Sequence, residues 1–176
     1  MEYAARYDSP LGGITLVSDG EALTGLRFDD RNFSALRQEP RLPVFEQTTE
    51  WLTLYFSGKI PDFTPPLRWS ATPFRERVWR MMLTIPYGET ATYGELARRL
   101  ASLQRTERVF ARAVGGAAGH NPILLIVPCH RVLGAGGALT GYAGGLERKR
   151  RLLALENTEN RRRGSRLKKS DGCGII

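Results

Sequence analysis

The sequence has few of the residues that build disulfide frameworks and metal sites. It contains two cysteines, Cys129 and Cys173, and two histidines among 176 residues. Two cysteines are too few for a disulfide framework, and the spacing of these four residues does not suit a four-ligand zinc site. We therefore expect free thiols, no metal site and a reducing compartment.

Long apolar runs are also missing. No window approaches the roughly 18 consecutive apolar residues of a membrane helix, and Met1-Glu2-Tyr3 does not begin a basic-then-apolar secretory signal. We expect a cytoplasmic protein without a membrane partner. The hydrophobic fraction of 41% is nevertheless sufficient for a core, in one medium domain or two small ones.

Acidic residues become scarce after the first 70 positions. Residues 1–70 contain 7 Lys/Arg and 10 Asp/Glu, residues 71–156 contain 13 and 6, and residues 157–176 contain 6 and 2. A basic central segment favours contact with a polyanion, because Lys and Arg displace counterions from phosphates. The basic tail, 157–176, is expected to be solvated and disordered.

Residues 1–70 have the pattern of a small antiparallel sheet covered by a helix. Tyr3 to Tyr7, Ile14 to Ser18 and Leu23 to Phe28 read as strands separated by turn dipeptides. Large apolar side chains between Phe45 and Phe56 then recur at helical spacing. The proline-rich stretch 60–67 is the candidate linker, so we predict a first domain over 1–70.

Residues 71–156 have a mainly helical pattern. One helix is predicted from Pro73 to Leu83, a second from Tyr93 to Leu100 with Thr92 and Glu95 as a capping box, and a third over about 107–118. Two short basic helices joined by a tight connection favour a helix-turn-helix, although basic helix pairs also occur as ordinary solvated surfaces. Ile123 to Val127 reads as a buried strand, and Leu146 to Glu156 reads as the closing helix.

Cys129 and His130 are the candidate reactive pair. A thiol needs a base, since few cysteines are ionised at neutral pH. In a regular strand the two side chains would face opposite ways, but Pro128 disrupts that geometry. In a bent or helical turn they can share a water, with Glu156 orienting the imidazole. The alternative is that Cys129 is a small buried hydrophobe and His130 a core histidine.

The surrounding motifs favour the reactive interpretation. The segment 121–132, Asn-Pro-Ile-Leu-Leu-Ile-Val-Pro-Cys-His-Arg-Val, resembles the active-site signature of the O6-alkylguanine-DNA alkyltransferase family. Similar motifs occur in order at 85–90, 111–116, 141–146 and 152–156, so the resemblance covers about residues 72–156. It implies an α+β fold in which a ribonuclease H-like N-terminal sheet and helix precede a mainly helical domain with a winged helix-turn-helix.

The resemblance also implies a reaction. Such proteins repair DNA by direct reversal, moving an alkyl group from O6-alkylguanine, and we expect also from O4-alkylthymine, irreversibly to a cysteine. The partner would be double-stranded DNA, contacted in the minor groove with the target base flipped out. Because a thioether has no good leaving group, each molecule would act once, without a cofactor, and we expect it to act as a monomer.

The resemblance also implies a role for individual residues, which we assign from their positions in the matching motifs. Cys129 is implied as the nucleophile, His130 as its base, Glu156 as the carboxylate behind it, and Tyr93 as a hydrogen-bond donor to the departing guanine. Arg112 is implied as the finger that fills the vacated base stack. The remaining implied DNA and pocket positions are Ala113, Gly115, Asn121, Val132, Tyr142, Ala143 and Gly144.

Three other functions stay open at this point. A relative that binds the lesion without reacting would lack the nucleophile, whereas Cys129 is present. A plain helix-turn-helix regulator would not require Cys129, His130 or Tyr93. A Cys/His hydrolase fits less well, because its partners are usually far apart in sequence.

Overall fold

The structure is a computed structural model that describes residues 1–29, 35–105 and 108–170, with residues 159–170 described by their backbone alone. It confirms the α+β architecture. One hydrophobic core extends across both halves of the chain, so the predicted boundary at residue 70 stays a prediction. No helix in the described ranges is long and apolar enough to cross a membrane.

The N-terminal half contains the predicted sheet. Its strands are β1 (Tyr3–Ser9), β2 (Gly12–Ser18), β3 (Leu23–Phe28) and the short β4 (Arg37–Gln38). Their order is β3-β2-β1-β4, with antiparallel hairpins between consecutive long strands and an unpredicted parallel pairing of β4 with β1. Gly12 lies at the first hairpin with a φ of 112°, a conformation that glycine adopts without strain.

Helix α1 (Pro43–Phe56) covers one face of this sheet, as predicted. Its buried stripe includes Phe45, Trp51, Leu52 and Tyr55. Burying large side chains of this kind stabilises a fold by roughly 1.5–3 kcal/mol each. The stripe therefore fixes the helix orientation and with it the direction of Tyr55.

The second half is built from helices α2 (Pro73–Met82), α3 (Tyr93–Gln104), α4 (Ala111–Gly119) and α5 (Leu146–Ser170). The Thr72 hydroxyl caps α2, and Thr92 with Glu95 forms the predicted capping box of α3. The third predicted helix begins later than expected, at Ala111, because Phe110 is extended at φ −87° and ψ 134°. Residue 107, the expected start, lies outside the described residues.

The prediction of a strand over Ile123 to Val127 is wrong. The segment forms turns, with a single bridge between Leu26 of β3 and Ile123. Leu125 has a positive φ of 69°, and the Ile126 N–H donates to the carbonyl of Leu124, so a continuous ladder is impossible here. The run is still buried, which accounts for its apolar composition.

Two other elements differ from expectation. Helix α5 continues beyond Glu156 to Ser170, so residues 157–170 have a helical backbone rather than the irregular tail that their charge predicted. A two-residue parallel pairing joins β5 (Ala91–Thr92) to β6 (Val132–Leu133). This pairing places the start of α3 beside the segment that follows Cys129.

Candidate active site

Cys129 lies in a 3-10 turn, Cys129–Arg131, and its side chain is buried. The Asn121 amide nitrogen donates to the Cys129 sulfur at 3.2 Å and to the Val127 carbonyl at 2.9 Å. The Asn121 amide oxygen accepts from the Ile123 N–H at 3.0 Å. One side chain therefore fixes the turn backbone and orients the thiol, so Asn121, which the sequence predicted as a DNA or pocket position, lies in direct contact with Cys129.

The burial of Cys129 controls its proton. Removal from water raises the pKa of the thiol to about 11, against the lowering effects of the Asn121 hydrogen bond and the Lys149 charge. Burial disfavours the charged thiolate more than these contacts favour it. The thiol is consequently protonated at neutral pH, and any reaction at its sulfur requires a base.

His130 lies on the same turn and contacts a carboxylate. Its Nε2 is 2.8 Å from Oε1 of Glu156. A carboxylate partner assigns the proton of the neutral ring to Nε2, which leaves Nδ1 as the basic nitrogen. Nδ1 is buried and has no hydrogen-bond partner among the described residues. Burial lowers the pKa of His130 despite the neighbouring Glu156, so the imidazole is neutral near pH 7.

Glu156 is held by donors from three other parts of the fold. Its Oε1 accepts from the Tyr55 hydroxyl at 2.7 Å and from Nη2 of Arg131 at 3.0 Å. Its Oε2 accepts from Nε of Arg131 at 2.9 Å and from the Gly88 N–H at 3.0 Å. Burial opposes ionisation, but the contacts from His130 and Arg131 prevail and lower the pKa of Glu156 to about 2.

Lys149 is a buried cation beside the thiol. Its Nζ donates to the Val132 carbonyl at 2.6 Å and to the Thr140 carbonyl at 2.8 Å, joining the two ends of the glycine-rich loop. Burial lowers the pKa of Lys149, with the Cys129 charge acting in the opposite direction. Val132, predicted as a pocket residue, is buried and contributes its carbonyl to this contact.

Tyr93 and Arg112 line one cavity of about 600 Å³, together with Gly115 and Thr140. Burial raises the pKa of Tyr93, a hydrogen bond from Thr140 lowers it, and the charge of Cys129 raises it. A Cβ on Gly115 would lie 3.8 Å from the Tyr93 ring, so α4 packs closely on this tyrosine. Ala113 and Arg112 are exposed on α4.

Tyr142, Ala143 and Gly144, also predicted as pocket residues, do not line the cavity of Tyr93 and Arg112. Tyr142 is edge-on to His130 at a centroid distance of 6.3 Å, and a Cβ on Gly144 would approach the Tyr142 ring to 2.5 Å. Ala143 lines a separate recess of about 290 Å³ that also includes Asn121. Arg148 anchors this loop, since it donates to the Gly144 carbonyl at 3.2 Å and to Asp29 at 2.5 Å.

Three residues at the site were not singled out from the sequence. Tyr55 resembles the other core aromatics of α1, and Lys149 is one of several cations in α5. Arg131 belongs to the Cys129 motif, yet nothing in its sequence position indicates the bidentate contact with Glu156. No sequence signal distinguishes a buried lysine or tyrosine from its neighbours before the packing is known.

Comparison with known proteins identifies two family models along the chain. The model described as 6-O-methylguanine DNA methyltransferase, ribonuclease-like domain, matches residues 3–69. The model described as 6-O-methylguanine DNA methyltransferase, DNA binding domain, matches residues 73–158.

Individual relatives match nearly the whole chain. A methylated-DNA--protein-cysteine methyltransferase of Mycobacterium tuberculosis is 46% identical over 160 residues, which are 90% of this chain and 94% of the relative. One of Haemophilus influenzae is 41% identical, covering 88% and 86%. The crystal structure of Mycobacterium tuberculosis OGT in complex with DNA superposes with a TM-score of 0.79 at 44% identity, covering 89% of this chain and 94% of that one.

Proposed function

The chain belongs to the 6-O-methylguanine DNA methyltransferase family, and we propose that Cys129 is the residue that accepts the alkyl group. The protein is a DNA-binding methyltransferase that repairs DNA by direct reversal. We further propose the role of each site residue, O6-alkylguanine as the damaged base, and contact through the minor groove of DNA. Its main support is the buried arrangement of the Cys129 thiol, His130 and Glu156 on adjoining elements.

The proposed reaction is a single displacement. The Cys129 sulfur attacks the alkyl carbon, a sulfur–carbon bond forms, and the bond between that carbon and guanine O6 breaks. The thiol proton passes through a water to Nδ1 of His130, the nitrogen that Glu156 leaves free to accept it. The electron pair of the broken bond stays on guanine, where the Tyr93 hydroxyl donates to the developing charge.

The protonation of Cys129 explains why the thiol reacts only when a base removes its proton. A sulfur whose pKa is about 11 is a weak nucleophile while protonated, but it becomes a strong one when the base removes the proton. Lys149 lies close enough to favour the transient thiolate. The product is a thioether without a good leaving group, so each molecule acts once and requires no cofactor.

The DNA partner is proposed from the exposed face of α4. Arg112 and Ala113 are exposed there, and Gly115 opens towards Tyr93 in the same cavity. We propose that this helix enters the minor groove, that the alkylated guanine flips into the pocket, and that Arg112 fills the vacated stack. Flipping costs a few kcal/mol, which an inserted guanidinium offsets in part.

The wider proposal covers substrate range, location and assembly. We propose that the chain accepts O4-alkylthymine as well as O6-alkylguanine, as the family resemblance implies. One chain carries Cys129, His130, Glu156, Tyr93 and Arg112, so a monomer is sufficient. A cytoplasmic location agrees with the need for a reduced thiol.

An intact-mass measurement tests the proposal. The chain is incubated with duplex DNA containing O6-methylguanine, and Cys129→Ser is the matched control. We expect one added methyl group per chain, on the Cys129 peptide, and none in the control. An unmodified thiol in a chain that still binds the lesion would replace this proposal with the lesion-binding function.

A further inference from the structure

Phe110 is an exposed aromatic residue directly before α4. Its side chain is 60% exposed, although the hydrophobic core is continuous elsewhere in this half of the chain. The next residues, Ala111, Arg112 and Ala113, form the exposed start of the helix. An exposed phenylalanine contributes little to folding, so this ring is free to contact a partner that approaches the start of α4.

Phe110 also occupies the N-cap position of α4, where it is a poor choice for helix stability. N-caps are normally Ser, Thr, Asp or Asn, whose side-chain oxygen accepts from the first free N–H groups. Phenylalanine has no acceptor, and α4 has no side-chain cap. Thr72 and Thr92 perform this function for α2 and α3, whereas α1 also begins without a side-chain cap, at Leu42. Unlike Leu42, Phe110 lies directly before an exposed helical turn that contains Arg112.

The surroundings of Phe110 are cationic. The Arg108 guanidinium carbon lies 4.8 Å from the centroid of the Phe110 ring, and Arg112 follows two positions later. The first turn of α4 contains no acidic residue. Uncapped N–H groups, one arginine on the apolar ring and a second in the first helical turn are complementary to a nucleic-acid backbone that flanks stacked bases.

We propose that Phe110 is an aromatic wedge that stacks against or between base pairs of the bound duplex, next to the position of Arg112. This inference rests on the proposed function, since it requires α4 to face the minor groove. Proteins that bind there frequently insert apolar side chains at a base step, which unstacks the step and bends the duplex. Arg108 lies on the ring and is placed to contact the adjacent phosphate as the ring enters.

The wedge assigns different tasks to two neighbouring residues. Arg112 replaces the flipped nucleotide inside the stack, whereas Phe110 disturbs the adjoining step and lowers the energy needed for flipping. Phe110 therefore acts on duplex DNA of any sequence. It has no task in the transfer of the alkyl group itself, because it is not among the residues that contact Cys129, His130 or Glu156.

Substitutions at Phe110 separate this role from a structural one. Phe110→Ser removes the ring and supplies the missing cap, so α4 becomes more stable while the wedge is lost. Phe110→Trp keeps an aromatic ring. Leu103→Ser is the matched control, because Leu103 is 76% exposed on α3 and has no place in the proposed interface.

Binding to an undamaged duplex is measured by fluorescence anisotropy. We expect Phe110→Ser to weaken binding at least about tenfold, the scale of one base–aromatic stacking contact. Phe110→Trp and Leu103→Ser are expected to stay within about threefold of the parent chain. Binding by Phe110→Ser within twofold of the parent, or an equal loss in Leu103→Ser, would overturn the proposal.

A second readout locates the wedge on the DNA. In a Cys129→Ser background, 2-aminopurine placed beside O6-methylguanine brightens when its step is unstacked, and adding Phe110→Ser should abolish this signal. Equal brightening with and without the ring contradicts the inference. Benzyl transfer from free O6-benzylguanine to Cys129 is expected to be unchanged in Phe110→Ser. If the proposed function itself were wrong, Cys129 of the parent chain would stay unmodified after incubation with the damaged DNA. The comparison of duplex binding between the Phe110 variants would still be valid.

Discussion

Tyr55 donates a 2.7 Å hydrogen bond to Glu156, which joins the N-terminal helix α1 to the carboxylate behind His130. Both side chains are buried, and the Tyr55 hydroxyl also lies 3.4 Å from Nε2 of His130. Burial and the Glu156 charge raise the pKa of Tyr55 well above its usual value, so the hydroxyl keeps its proton. The N-terminal half therefore contributes directly to the electrostatics of the site.

Replacing Tyr55 with phenylalanine is expected to shift the pH dependence of alkyl transfer. The change removes one donor from Oε1 of Glu156, the oxygen that also contacts His130. Without the Tyr55 hydroxyl, the negative charge on Oε1 is neutralised less by other donors and attracts His130 more strongly. The charged imidazolium is then favoured, so the pKa of His130 rises. Because the base must be neutral, the acidic limb of the single-turnover rate profile moves to higher pH.

The matched control for this prediction is Tyr7→Phe. Tyr7 makes a 3.4 Å contact with Thr53 and does not approach the site. We expect its profile to overlay that of the parent chain. A Tyr55→Phe profile that changes only in height, with the limb at the same pH, would contradict the electrostatic role.

The raised pKa of Cys129 predicts a loss of stability in alkali. The folded chain keeps the thiol proton up to a pKa of about 11, whereas the unfolded chain releases it near 9.0. The unfolded state is therefore favoured as pH rises between these values, by about 2–3 kcal/mol in total. Urea unfolding of the parent and of Cys129→Ala from pH 8 to about 11 measures the difference in slope. Parallel curves for the two chains would refute the prediction.

Glu156→Gln is expected to destabilise the chain strongly. It leaves the buried Arg131 guanidinium without its counter-charge, a loss of about 3–5 kcal/mol by analogy with other broken buried pairs. In the parent chain, the stability due to the low pKa of Glu156 is present above about pH 4.5 and disappears as pH falls towards 2. Glutamine does not titrate, so the variant loses this pH dependence of the free energy of unfolding. Urea titrations across this pH range measure both effects.

The control for Glu156→Gln is Glu147→Gln. Glu147 pairs with Arg150 on the exposed surface of α5, where ion pairs contribute little. A comparable loss in both variants would mean that the contacts of Glu156 have no special energetic importance.

Arg112→Ala is expected to impair repair of duplex DNA more than repair of single strands. Only a duplex has a vacated position in the base stack for the guanidinium to fill. On a single strand, the variant therefore loses only the attraction between Arg112 and the phosphates. Rates of methyl transfer from matched single-stranded and duplex oligonucleotides measure the ratio. Arg150→Ala removes one exposed charge from α5 as the control. Equal losses on both substrates would exclude the finger role.

Local patterns in the sequence predicted most of the elements. The period-two strands, the apolar stripe of α1 and the capping residues Thr72 and Thr92 operate over a few neighbouring residues, and the structure agrees with each. The predicted strand after Asn121 failed because continuous apolar composition signals burial without specifying a ladder. There the Asn121 side chain, rather than a neighbouring strand, satisfies the Ile123 N–H and the Val127 carbonyl.

The sequence by itself determined the order of motifs, the nucleophile candidate and the pairing of Cys129 with His130 and Glu156. Tertiary structure decided how those groups are protonated. The burial of Cys129, the orientation of His130 and the five hydrogen-bonding contacts to Glu156 on α5 depend on the Tyr55 side chain from α1, the Gly88 N–H from the turn after α2, and the turn that contains His130 and Arg131. Tyr55 and Glu156 are 101 positions apart, and only packing of the whole chain brings such residues into contact.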